Sequence, residues 1–124
     1  MKNLTIIAAA TLLFALPALG FACEYPERPT LPDGNAASKE DMIAAQTAVK
    51  AFLAAIDGYL DCIEQEEKDA VAAMDNPDEE TIKRRDELLS KRFDAANEEK
   101  FLFGEQWNQQ VRAYNARKSE QKSD

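Results

Sequence analysis

The chain has 124 residues, two cysteines, no histidine, and 23 acidic against 15 basic side chains, a formal net charge of −8. That acidic balance repels phosphate backbones and anionic lipid surfaces, so it argues against nucleic acid and against electrostatic membrane binding. Without histidine the chain cannot build a Ser-His pair, a haem His ligand or the Glu-x-x-His pairs of carboxylate-bridged di-metal bundles.

Residues 1–22 have the pattern of a secretory signal peptide: Lys2 as a positive start, an apolar run from Thr5 to Leu16, a helix break at Pro17 and small residues before Cys23. The run is short of the roughly 20 residues a bilayer span needs. Cleavage is expected after Ala22, with Gly20 as a second site. Loss of this leader, whose one charge is Lys2, takes the net charge from −8 to −9. An alternative puts lipid on Cys23, as in a membrane-tethered bacterial lipoprotein. That signal favours Leu three positions before the cysteine and a small residue two before it, where this chain has Gly20 and Phe21.

Residues 23–37, CEYPERPTLPDGNAA, form an extended Pro-rich arm with a turn at Asp33-Gly34-Asn35. Ser38-Lys39-Glu40-Asp41 then supplies a helix start, with Ser38 as N-cap and acids in the first turn. Met42, Val49, Leu53, Ile56, Leu60, Ile63, Ala70 and Met74 recur in steps of three and four, and Ala45, Phe52 and Tyr59 widen the stripe. The spacing predicts one helix over about 39–74, weakened only at Gly58. In the MDNPDEE segment Asn76 is read as the next N-cap and Pro77 as the first helical residue. The second helix carries Ile82, Leu89, Phe93, Ala96, Phe103, Trp107, Val111 and Tyr114, and Gly104 is read as a point of close backbone approach. Residues 119–124 are a polar tail. The expected fold is all-α: an antiparallel hairpin of two long helices, residues 38–118, with the arm stapled to it by a disulfide.

Two cysteines in an exported chain pair most simply with each other. Closing the 40-residue loop from Cys23 to Cys62 contributes about 4 kcal/mol on chain-entropy grounds. Reach allows it: Cys62 lies about 36 Å along the helix from Ser38, and the arm's 15 steps extend about 50 Å. The arm is expected to cover Phe52, Tyr59 and Trp107 with Tyr25, Pro26, Pro29, Leu31 and Pro32. The other side of the hairpin stays open, and a homodimer in a four-helix bundle would cover it.

Chemistry-bearing groupings are sparse. Asp57, Asp61 and Glu64 share a helical face, which reads first as a solvated acidic face; a carboxylate metal site or an acidic-site enzyme is the alternative. The Asp75–Glu79 segment lacks the Gly and the later Glu of an EF-hand loop. The cysteines are not in Cys-x-x-Cys spacing, and nothing marks a serine as activated. No catalytic residue, metal or cofactor is expected. Phe101, Trp107, Arg112 and Tyr114 are residue types enriched at binding hot spots and form the expected partner surface; their helical spacing also suits ordinary core packing. Asn108, Gln109 and Arg112 have an equal alternative use, as partners for the backbone groups of the arm.

Cys-x-Tyr-Pro with Pro-x-x-Pro-Asp-Gly (Cys23–Gly34), Tyr-Leu-x-Cys (Tyr59–Cys62) and Asn-x-Gln-Val-Arg-x-Tyr (Asn108–Tyr114) resemble a family of uncharacterised small exported helical proteins of Gram-negative bacteria. The resemblance covers most of the chain after the leader and implies a disulfide and an exported address, but no activity. The expected function is that of a periplasmic or secreted, non-enzymatic protein-interaction or chaperone-like module with a protein partner.

Overall fold

The computed structural model describes residues 23–123. The expected signal peptide, residues 1–22, lies outside the described residues, as does Asp124. The described chain is an extended arm followed by two helices, α1 (Lys39–Ala72) and α2 (Glu79–Glu120), packed as an antiparallel hairpin. There is no strand among the described residues.

Local chemistry sets the helix ends. Ser38 has extended backbone, and its hydroxyl accepts from the Asp41 amide at 3.0 Å while the Asp41 carboxylate accepts from the Ser38 amide at 3.1 Å. This reciprocal box satisfies two N–H groups that the helix cannot. α1 ends at Ala72, two residues before the expected limit, because the chain turns through Ala73 and Met74. Asn76 then takes a left-handed conformation, φ 49°, which asparagine tolerates better than most residues. The capping role expected of Asn76 falls instead to Asp78, whose Oδ1 accepts from the Thr81 amide at 2.7 Å. Pro77 therefore precedes the cap and is not the first helical residue. α2 runs to Glu120, two residues into the expected polar tail, with Arg117 and Lys118 on its C-terminal dipole.

Val49, Phe52, Ile56, Leu60 and Ile63 of α1 pack with Ala96 and Phe103 of α2 and with Cys23 in one apolar seam, while Met42 and Ala45 are buried nearer the start of α1. Ile56 and Ile63 have no exposed surface, and burying a side chain of that size contributes about 1.5–3 kcal/mol. The expected stripe is correct in phase, although Leu53 and Tyr59 lie at its margin and Ala70 and Met74 near its end. Polar ties fix the hairpin's register. Arg85 grips Glu67 through two hydrogen bonds, at 2.6 and 2.9 Å, and Lys100 reaches Asp57 at 2.5 Å.

The arm forms a third layer. Cys23 is bonded to Cys62, with the two Cα atoms 5.6 Å apart. From that staple the arm runs antiparallel to α1 and parallel to α2, ending at Ser38. The alanines Ala44, Ala48, Ala51 and Ala55, spaced four, three and four apart, line the clefts beneath Pro26, Pro29, Leu31 and Pro32. Small side chains on one row let an extended chain lie close to a helix.

Candidate interaction surface

The hairpin has two broad sides, and the arm divides them sharply. The arm side carries a series of specific contacts. Tyr25 stacks edge-on against Tyr59 with ring centroids 4.9 Å apart. Burial pushes the Tyr25 hydroxyl pKa up, and Glu99 and Tyr59 add to the shift. Arg28 lies over the Phe103 ring at 4.9 Å, pairs with Glu99 at 3.0 Å and donates to Gln106. Further along, the Gly34 amide donates to Gln110 Oε1 at 2.8 Å, and Arg117 donates to the carbonyls of Asn35 and Ala37.

At Gly34, Asn35 and Ala37 these contacts satisfy backbone groups that an extended arm cannot pair within itself. The ligands are not Asn108, Gln109 and Arg112, which are all exposed. They are Gln110 and Arg117, with Gln106 and Glu99 holding Arg28. Residues 99, 103, 106, 110 and 117 share one helical face, while 108, 109 and 112 are turned roughly 100–200° away from 110 at 100° per residue. The signal available in the sequence was that polar row beside the apolar stripe, together with the alanine row of α1.

Gly34 is the point of closest approach. A Cβ there would lie 2.0 Å from the carbonyl oxygen of Gln110 and 2.9 Å from the Tyr114 nitrogen, both in the α2 backbone. The close approach expected of Gly104 is absent: a Cβ there would meet nothing within 4 Å. It marks a gap in the helix surface instead.

On the side away from the arm lie Ile43, 55 % exposed, and Phe101, 67 % exposed, with Leu53 and Val111 half-buried between the helices. A groove of about 360 Å³ runs from Leu53 past Phe101 and Gly104 to Asn108. A second, of about 180 Å³, lies between Ile43 and Trp107.

The four expected partner residues do not form one patch. Phe101 and Arg112 are exposed, Trp107 packs against the core, and Tyr114 is half-buried with Arg117 and Lys118 over its ring at 5.4 and 5.8 Å. Of the acidic trio, Asp57 is held by Lys100 and Glu64 by Lys68 at 2.7 Å. No group of three or more potential metal ligands occurs among the described residues. Cys23 Sγ, the atom that lipidation would modify, is committed to the disulfide, and no described helix is long and apolar enough to cross a membrane.

No protein-family model, curated protein or solved structure matches the chain. The family likeness stated above therefore rests on its motifs alone.

Proposed function

We propose that this chain is an exported, non-enzymatic protein-interaction module, held rigid by its stapled arm and binding protein through the uncovered side of the hairpin. The observation that carries this reading is Phe101, an aromatic side chain 67 % exposed in the middle of α2. It lies on the side opposite the arm, beside Leu53 and the gap at Gly104. Exposed apolar surface rimmed by polar groups is a mark of interaction surfaces. The disulfide fits an oxidising compartment, the periplasm or the exterior, to which the leader pattern would direct the chain. A chaperone-like role is one form of the same reading.

The test compares wild type with Phe101→Glu in two assays: self-association by light scattering, and suppression of aggregation of a denatured reporter protein. Wild type is expected to be active in at least one, and Phe101→Glu is expected to lose that activity with its thermal stability unchanged. If the substitution leaves both assays as they were, the reading is wrong.

A further inference from the structure

We infer that the occupant of the uncovered side is a second copy of this chain, arranged antiparallel about a two-fold axis as a four-helix bundle; this deepens the proposed function and rests on it. In a two-fold contact the same patch meets itself, so each feature must find its complement on that same patch. Phe101 and Gly104 meet this condition. They are one turn apart on the same face of α2, one a projecting ring and the other an open gap beside the groove. A two-fold axis running between the copies, perpendicular to α2 and level with the step from Leu102 to Phe103, brings each Phe101 to the level of the other copy's Gly104. The knob and the hole are exchanged in a single contact.

Charge follows the same register. That axis puts Asn97 opposite Asn108, so the amides face one another, and brings Lys100, which holds Asp57 in its own chain, level with Glu105 of the other copy. The level of the axis on α1 is fixed by packing, since Phe52 stacks on Phe103 with centroids 4.8 Å apart and Leu53 borders the Gly104 groove. About that level Leu53 meets the other copy's Leu53 and Ala54, Lys50 lies opposite Asp57, and Gln46 opposite Asp61. Along α1 this face carries Lys39 and Lys50 toward one end and Asp57, Asp61, Glu64 and Lys68 toward the other, with Asp57 held by Lys100 and Glu64 by Lys68 within the chain. The antiparallel pairing brings Lys50 of each copy toward Asp57 of the other. A molecule with a net charge of −8 thus has one face on which self-association is not opposed by its own charge.

Light-scattering mass across a concentration series, with the full disulfide-bonded chain, tests this. Wild type is expected to reach the dimer mass and to dissociate as salt is raised, because the charge pairs are screened. Phe101→Glu and Gly104→Leu are each expected to raise the dimer dissociation constant about tenfold or more, as losses at a central anchor do. Gly104→Leu separates a seat from mere stickiness. Its side chain enters open space in the single chain, so helicity and melting temperature hold, and it adds apolar surface. Nonspecific association would therefore strengthen where a blocked seat weakens. A monomeric wild type, or a Gly104→Leu chain that dimerises as well as wild type, overturns the inference. The proposed function survives that result if wild type, and not Phe101→Glu, still protects the denatured reporter.

Discussion

Two glycines show how differently one residue type can be used. At Gly34 the arm touches the α2 backbone, and any Cβ would lie 2.0 Å from a carbonyl oxygen that cannot move without bending the helix. Gly34→Ala is therefore expected to lift the distal arm, breaking the amide bond to Gln110 and the reach of Arg117. A lowered melting temperature, together with faster amide exchange at Asn35–Ala37, would be the signature. Gly58 is the control. It stands in open space inside α1, so Gly58→Ala should stabilise by up to about 1 kcal/mol through helix propensity. The capping acids give a second test. The Asp41 carboxyl is held below the ordinary aspartate range chiefly by the Ser38 hydroxyl, and Asp78 chiefly by the Thr81 amide. A depressed folded pKa favours the native state at pH above the unfolded value, about 3.9, and that support is lost as pH falls through the folded one. Melting temperature should thus fall as the medium is acidified below about pH 4. In the Asp41→Asn/Asp78→Asn chain this part of the acid slope should be missing. Equal slopes in the two proteins would mean that other carboxylates govern the acid limb.

At the scale of elements, the two helices were legible because each has a short-range cause, and the disulfide because the chain has only two cysteines to pair. Apolar steps of three and four mark the buried face of α1, and an odd polar–apolar boundary such as Ser38 marks its start. The helix junction was misread by two residues because Asn76 and Asp78 are both good caps. What decided between them was backbone conformation, left-handed at Asn76 and extended at Asp78. The arm's path was legible only as a reach. Its seat depends on the relative rotation of α1 and α2, which one-dimensional spacing does not fix, so Gln110 and Arg117 were passed over for neighbours on the wrong face. The staple at one end and these two side chains at the other hold the same element, and they can be separated by experiment. Replacing both Cys23 and Cys62 with serine is expected to cost up to about 4 kcal/mol, read from urea unfolding, with the arm's far end still docked by its polar contacts. Gln110→Ala/Arg117→Ala should do the reverse, raising amide exchange around Gly34 while the Cys23 end stays anchored. If either variant frees the whole arm, the arm docks as one cooperative unit and not as two independently held ends.

The whole molecule turns on Phe103, where all three layers meet. Its ring stacks on Phe52 of α1, carries Arg28 of the arm on its face, and is only 1 % exposed. A hairpin alone buries little, so a side chain shared by both helices and the arm carries more than its own area. Phe103→Ala is expected to cost about 3–5 kcal/mol, the range for a buried aromatic truncated to a methyl group. That is a large part of the stability of a domain this size. Leu102 is the adjoining control, 46 % exposed on the same helix, and truncating it removes little that folding buries. Urea unfolding of the oxidised proteins, followed at once by helicity and by Trp107 fluorescence, reads both the size and the cooperativity of the loss. Coincident transitions shifted strongly by Phe103→Ala and barely by Leu102→Ala would show the arm and both helices unfolding as one unit. If the Phe103 variant instead loses the arm first, with helicity persisting to higher urea, the hairpin is stable without its third layer.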